Sequence, residues 1–220
     1  MKRSRLISIA VALLLPLAAI ADSYTSLWKQ YDVAVRKDHP QTVLRLLSQI
    51  ADKAQRERAY GQLLKAQVKS ADYQCELSAD SLQPVVERMK LMEQQAVNSG
   101  DNVLAAIYQS VLGSVYTNNS FALDDAKATG KQYFKKSMSH PDALAKAYAT
   151  GYEPFVVDGV DSKYYYDDML HIIAMRAKDY RTMHDYYASH GKREGALLTA
   201  LELVKKSRKV DDEGRVKKSK

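Results

Sequence analysis

The sequence predicts an all-α protein in which antiparallel helix pairs form a bundle or solenoid in the tetratricopeptide style, with no sheet. Apolar residues recur along most of the chain at the i, i+3, i+4 and i+7 spacing of amphipathic helices. Glycine and proline number only nine and five among 220 residues, which argues against an all-β chain with many tight turns. The connections between the predicted helices are short, and short connections favour antiparallel neighbours. No strict 34-residue repeat accompanies the pattern.

The first half of the chain contains five predicted helices, each with one apolar stripe that must be buried against a neighbour. The stripes run over Tyr24–Val35, Val43–Ala54, Tyr60–Ala71, Leu82–Ala96 and Leu104–Val115. Capping and helix-breaking residues separate them, since serine and aspartate bind free backbone N–H groups and proline suits a first turn. These residues are Ser23, His39-Pro40, Ser78, Asp80, Ser81, Ser99-Gly100-Asp101 and Asn118-Asn119-Ser120.

In the second half the helical pattern is interrupted once. A polar stretch from Asp124 to Ser139 is followed by a helix that is predicted from Pro141 to about Thr150. A non-helical insert then occupies residues 151–166, and Gly151–Gly159 is its extended segment. Helices resume near Asp168, and their predicted inward faces hold Met169, Ile172, Ile173 and Ala177, then Met183, Tyr186 and Tyr187 before Gly191, then Leu197, Ala200, Leu201 and Val204.

The first 21 residues have the three parts of a signal peptide. Three basic residues within the first five precede the uncharged apolar stretch Leu6–Ile20, and Ala19-Ile20-Ala21 is a small-x-small cleavage site. About 15 apolar residues are fewer than the roughly 20 that a membrane-spanning helix needs, and no cysteine follows for lipid attachment. We therefore predict cleavage after Ala21, a periplasmic or envelope location, no lipoprotein and no stable membrane insertion.

The net charge of +7 belongs to the ends of the chain. A predicted basic tail, residues 205–220, holds eight basic and three acidic side chains, and cations there suit the end of a helix. The single helical domain predicted between the ends, residues 22–204, holds 22 basic and 23 acidic side chains. Because this domain has no excess of positive charge, we predict no nucleic-acid partner.

No motif for catalysis or nucleotide binding occurs in the sequence: the P-loop, the Gly-x-Gly-x-x-Gly loop, the nucleophile elbow and His-Glu-x-x-His are all absent. His171, His184, Asp167 and Asp168 could be combined into a metal site, but spacing alone is a weak signal, and two aspartates at a helix start are better interpreted as capping residues. The one cysteine, Cys75, fits a small buried apolar side chain. We predict a protein that is not an enzyme, with no catalytic, metal or cofactor site.

Tyrosine is unusually frequent, with fifteen tyrosines against three phenylalanines, and eight of them lie between residues 148 and 187. Tyrosines serve either as contact residues for a partner or as packing at helix crossings. We predict that Phe155 and Val157 pack within the domain and that some of the candidate docking run Tyr164, Tyr165 and Tyr166 docks the next domain or another protein. On this interpretation, Phe155→Ala lowers thermal stability and Tyr165→Ser leaves it nearly unchanged.

Several strings together resemble the N-terminal helical region of very large, exported bacterial proteins of the alpha-2-macroglobulin family. Their order and spacing carry the resemblance, which spans nearly all of the chain after the signal peptide, and Lys192 stands where asparagine is frequent in that family. The strings are Leu27-Trp28-Lys29-Gln30, Glu57 to Ala66, Tyr152 to Val157 with Asp161-Ser162, Tyr166 to Leu170, Asp179-Tyr180, His184 to Tyr187, Gly191-Lys192-Arg193 and Leu198 to Glu202.

The resemblance implies a non-catalytic docking module of a protein whose family traps proteases in the bacterial envelope. The β-sandwich domains and the bait segment of that family are not visible in the sequence, and the thioester motif fails because Ser78, not glutamine, follows Cys75 by three residues. The implied partners are downstream domains of the same or a longer polypeptide, or another envelope protein. The alternative is a free-standing exported adaptor of helical repeats.

Overall fold

The computed structural model describes residues 24–157 and 159–207, and helices dominate that part of the chain. No β-strand is found within it, and the isolated bridge there pairs Tyr148 with Asp168. The prediction of an all-α class is confirmed. The predicted signal peptide, the predicted cap Ser23 and residues 208–220 of the predicted tail lie outside the described residues. No helix in the described part has the length and apolarity to span a bilayer.

The described residues form ten α-helices that are joined by turns and by 3₁₀ segments. The helices are α1 (24–36), α2 (Pro40–Glu57), α3 (Tyr60–Leu77), α4 (Leu82–Asn98), α5 (Asn102–Asn118), α6 (Ala126–Ser137), α7 (Pro141–Lys146), α8 (Met169–Ala177), α9 (Tyr180–Ser189) and α10 (Arg193–Ser207). The 3₁₀ segments are Ala79–Ser81, Ala149–Tyr152 and Ser162–Tyr165. The predicted cap at Asp101 is confirmed, since its side chain accepts a hydrogen bond from the N–H of Leu104 at 2.9 Å.

The predicted cap at Ser81 is wrong. Ser81 lies at the end of a 3₁₀ turn in right-handed helical conformation, and its side chain makes no capping hydrogen bond. Because the chain enters α4 already coiled, the side chain does not have the extended geometry from which an N-cap reaches the first free N–H groups.

The helix that begins at Pro141 is predicted to end near Thr150. That end is wrong, because α7 stops at Lys146. The N–H of Ala149 donates to the carbonyl of Asp167 at 2.9 Å, and the N–H of Met169 donates to the carbonyl of Ala147 at 2.9 Å. This pairing with residues distant in sequence satisfies the backbone groups that a longer helix would have used.

The contacts divide the chain into two compact units. Among the described residues, unit 1 consists of residues 24–79 and Tyr152–Phe155, and unit 2 consists of Asp80–Gly151 and the residues from Val156 onward. Leu47 in unit 1 and Leu112 in unit 2 are both fully buried, as expected for core positions of amphipathic helices.

Unit 1 is built on α1, α2 and α3, whose apolar stripes form one core. Two polar side chains link these helices: Trp28 Nε1 donates to Gln62 Oε1 at 2.7 Å, and Tyr24 Oη donates to Glu57 Oε2 at 2.7 Å. Burial and the bond to Glu57 raise the pKa of Tyr24, so its hydroxyl remains a donor. The core residues include Tyr24, Tyr31, Val43, Leu46, Leu47, Ile50, Ala54, Leu63 and Ala66.

The segment Tyr152–Phe155 passes directly over the first turn of α3. Gly61 permits this, because a Cβ at that position would overlap the carbonyl group of Glu153 and lie 2.5 Å from the carbonyl carbon of Tyr152. The next peptide bond, Glu153–Pro154, is cis. A glycine in a helix is therefore used here for close approach of two backbones.

We expect Gly61→Ala to lower the free energy of unfolding by about 1–3 kcal/mol, as overpacking does. Alanine is the better helix former, so a stabilisation of about 0.5–1 kcal/mol would follow if the contact with Glu153 did not exist. The measurement is chemical denaturation followed by circular dichroism. Gly151→Ala is the control, because no atom lies within 4 Å of a Cβ at that position. A neutral or stabilising result for Gly61→Ala would contradict the packing of Tyr152–Phe155 on α3.

Unit 2 is built around α5, which contacts α4, α6, α7 and α8. Gly113 and Gly130 bring α5 and α6 together: a Cβ on Gly130 would lie 2.8 Å from Thr117 Oγ1, and one on Gly113 would lie 2.8 Å from the ring of Phe134. A buried hydrogen bond of 2.7 Å from Gln109 Nε2 to Glu93 Oε1 joins α5 to α4. The remaining helix pairs in contact include α8 with α9 and α9 with α10.

One expectation for buried side chains in unit 2 is wrong, that for Val157, and the one for α8 holds only for Met169 and Ile173. Val157 is exposed, and its neighbour Val156 is buried in its place. On α8 the buried side chains are those of Met169, Leu170, His171, Ile173 and Ala174, whereas Ile172 and Ala177 are half-buried. Phe155 is half-buried in unit 1, and its contribution to stability stays a prediction.

Candidate functional site

The three predicted docking tyrosines follow one another in sequence but have different environments. Tyr164 is 42% exposed, Tyr166 is half-buried and Tyr165 is only 7% exposed. The ring of Tyr165 stacks on the imidazole of His171 with ring centres 5.1 Å apart and planes 9° apart. Tyr165 is therefore a core residue of unit 2, and Tyr164 is the member of the run that offers its ring to solvent.

Asp168 is the centre of a polar cluster in unit 2, where its side chain is 1% exposed. Its Oδ1 accepts hydrogen bonds from the N–H of His171 at 3.0 Å and from the hydroxyl of Tyr187 at 2.9 Å. Its Oδ2 lies 3.3 Å from Lys192 Nζ, whose ammonium is also 4.4 Å from the ring centre of Tyr166. Burial and the neighbouring Asp168 raise the pKa of Tyr187, which keeps this hydroxyl protonated as a donor.

The cluster also brings together the residue types of a nucleophilic triad, which the sequence analysis did not anticipate. Ser162 Oγ lies 3.3 Å from His171 Nε2, but His171 Nδ1 lies 2.8 Å from the backbone carbonyl of Asp168 and 3.8 Å from its Oδ1. Ser162 and His171 are both buried. Because the carboxylate orients the backbone of α8 and not the imidazole, the arrangement is that of a helix cap and lacks the base–carboxylate bond of a triad.

The residues considered as metal ligands are not brought together as one set. His171 lies beside Asp168, but His184 Nδ1 is 3.1 Å from Asp185 Oδ1 on α9. Asp168 is the N-cap of α8, as the capping interpretation predicts. Within residues 24–157 and 159–207, no group of three or more histidine, cysteine, aspartate or glutamate side chains could hold a metal ion.

The predicted inward face of the last helix is instead exposed. On α10 the buried residues are Gly195 and Thr199, whereas Leu197, Leu201 and Val204 are 64%, 49% and 47% exposed. A Cβ on Gly195 would lie 2.8 Å from the ring of Tyr187, so the small face of α10 is the one that fits against these rings. We call Leu197, Leu201 and Val204 the α10 stripe. The helical spacing correctly predicts that these side chains share one face of α10, but it does not show which face of the helix is covered.

A second surface feature of unit 2 is an open groove with a volume of about 920 Å³ along α5, α6 and the end of α8. Five basic residues line it, and sequence analysis missed this grouping. The i, i+4, i+8 spacing of three lysines in α6 indicates a basic face on that helix. The arginine and lysine that complete the groove lie more than 40 residues further along the chain, so the sequence pattern does not connect them to that face. The five are Lys127, Lys131, Lys135, Arg176 and Lys178.

Comparisons with protein-family models, with curated proteins and with solved structures gave no match to this chain. The resemblance to the alpha-2-macroglobulin family therefore remains a hypothesis from the sequence.

Proposed function

We propose that this chain is a non-catalytic helical docking module whose partner contributes an amphipathic helix that covers the α10 stripe. The single observation that carries the proposal is the exposure of three aliphatic side chains at i, i+4 and i+7 on α10. Contiguous apolar surface of this kind marks interaction sites, whereas isolated exposed leucines need no explanation.

The proposed architecture explains why the partner is a helix. In an array of antiparallel helix pairs of the tetratricopeptide style, each helix buries its stripe against the next, so a stripe that no described helix covers can accept a further helix. α10 uses its small face, Gly195 and Thr199, within unit 2. Residues 208–220 contain only two apolar side chains, Val210 and Val216, so their sequence does not supply a complementary stripe.

For the identity of the partner, we propose downstream domains of an exported, alpha-2-macroglobulin-like polypeptide that is associated with protease trapping in the bacterial envelope. The alternative is a free-standing exported adaptor that binds another envelope protein. One contact in unit 1 is consistent with the first choice: Trp28 donates a hydrogen bond to Gln62, and both residues belong to strings that carry the resemblance. The DNA sequence after codon 220 distinguishes the longer polypeptide from the free-standing adaptor. An in-frame continuation that encodes β-rich domains favours the longer polypeptide.

The docking role can be tested by site-specific photo-crosslinking in cells that express the chain. A photoreactive residue at Leu201 is expected to crosslink to one polypeptide, at residues that recur with helical spacing, and Leu197→Asp should abolish the crosslink. Leu91 on α4 is the matched control, because it is a leucine outside the stripe that is at least as exposed as Leu201. Equal crosslinking from Leu91 and Leu201 would contradict the proposal, as would a large loss of thermal stability in Leu197→Asp.

A further inference from the structure

The open groove in unit 2 presents a regular row of positive charge. Lys127, Lys131 and Lys135 are exposed and lie four residues apart on α6, so their Cα atoms follow one another at about 6 Å along one face and span about 12 Å. Arg176 and Lys178 line the same groove from the end of α8. We call these five residues the basic groove.

The basic groove carries an excess of positive charge, because its lining holds five cations and one carboxylate. None of its five cations forms an ion pair with another residue of the described part of the chain. The one carboxylate in the lining, Asp179, is already used, since its two oxygens accept from the N–H of Thr182 at 3.1 Å and from its hydroxyl at 2.8 Å. Like charges gathered in this way repel one another and attract an anionic ligand.

Helix dipoles account for only part of this arrangement. Arg176 and Lys178 lie at the C-terminal end of α8, where cations are favourable. Lys127 is in the first turn of α6, where the dipole disfavours a cation and where that helix has no acidic residue. The row of lysines therefore extends along the whole of α6. The preference of cations for helix C-termini does not explain its N-terminal member, Lys127.

The geometry points to an acidic polypeptide segment as the ligand of the basic groove. Carboxylates at i and i+4 of a helix recur at about 6 Å, and those at i and i+2 of an extended chain recur at about 6.7 Å, so either form matches the lysine row. Four of the five cations are lysines, which act as mobile point charges without the fork geometry that arginine offers to phosphate.

The surroundings favour carboxylates over the other polyanions. Tight phosphate sites use converging backbone N–H groups at a helix N-terminus. Here α8 presents its C-terminal end to the groove, and the start of α9 is already capped by the carboxylate of Asp179, which accepts from the N–H of Thr182. Single-stranded nucleic acid binds through exposed aromatic rings, and the one ring in the lining, that of Phe134, is packed against Gly113. This site is separate from the α10 stripe, so it stands or fails independently of the proposed docking role.

The test is fluorescence anisotropy of a labelled decaglutamate peptide with the purified chain at low salt. Lys127→Gln/Lys131→Gln is expected to weaken binding about two- to thirtyfold, since each of the two exposed ion pairs contributes about 0.2–1 kcal/mol. Raising the salt concentration to about 0.3 M should weaken binding to the wild-type chain by screening. Lys136→Gln/Lys146→Gln is the matched control: it removes the same charge from exposed lysines of unit 2 outside the groove and should change the affinity by less than about twofold.

Three results would overturn the inference: equal affinity of the wild-type chain and Lys127→Gln/Lys131→Gln, an equal loss in the control pair, or tighter binding of polyphosphate or a single-stranded oligonucleotide than of decaglutamate. Circular dichroism melts of both double variants confirm that they are folded before binding is compared. Because no titration uses Leu197, Leu201 or Val204, failure here leaves the docking proposal untouched.

Discussion

Replacing Tyr165 with serine is expected to lower the free energy of unfolding by about 3–5 kcal/mol, the usual cost of deleting a large buried ring. The ring is 7% exposed, stacks on His171 and lies 6.3 Å from the ring of Tyr187. Serine would leave a cavity and place a hydroxyl in it. This expectation reverses the one drawn from the sequence, in which Tyr165→Ser left stability nearly unchanged.

The neighbouring tyrosine provides the matched control. Tyr164→Ser makes the same chemical change one residue earlier, at a ring that is 42% exposed, and is expected to change stability by no more than about 0.5 kcal/mol. Tyr165→Phe keeps the ring and should behave nearly as the wild-type chain. Urea denaturation of the three variants gives the comparison. If Tyr164→Ser were the more damaging of the two serine variants, the burial described for this segment would be wrong.

The fold class could be predicted because helical periodicity is a local property of the sequence. A stripe such as Val43, Leu46, Leu47 and Ile50 is recognisable within about two turns, and all four of these side chains are buried. The end of α7 could not be predicted, since it depends on pairing between Ala147 and Met169, which lie 22 residues apart. Local patterns contain no information about such a partner.

The candidate sites show a second limit of the sequence. Periodicity identifies side chains that share a face but not the neighbour that covers it. On α10 the aliphatic stripe was expected to be inside, yet the large ring of Tyr187 fits only against Gly195, so the helix is turned with its small residues inward. Three consecutive tyrosines suggest one surface in the sequence. In the structure they lie in a 3₁₀ turn that ends at Tyr166, a left-handed residue with φ 63°, so their side chains point in different directions.

Replacing Asp168 with alanine is the second change with a large expected effect, a loss of about 2–5 kcal/mol. Alanine removes the N-cap of α8, which costs about 0.5–2 kcal/mol. It also removes the near acceptor of the buried Tyr187 hydroxyl and leaves only the carbonyl of Tyr165 at 3.5 Å, which costs about 1–3 kcal/mol. The ammonium of Lys192 is partly exposed, so solvent replaces most of what it loses.

Asp168→Asn separates these contributions, because asparagine retains an oxygen for the N–H of His171 and the hydroxyl of Tyr187 and loses the charge and the acceptor oxygen that face Lys192. It is expected to cost less than half as much as Asp168→Ala. A double-mutant cycle with Tyr187→Phe completes the experiment and is measured by urea denaturation. Tyr187→Phe should be costly in the wild-type chain and much less costly beside Asp168→Ala, since only the carbonyl of Tyr165 at 3.5 Å is then left as an acceptor. Additive losses in that cycle would show that Asp168 and Tyr187 act independently. They would remove the reason for treating this cluster as the element that fixes α8, α9 and the 3₁₀ segment Ser162–Tyr165 together.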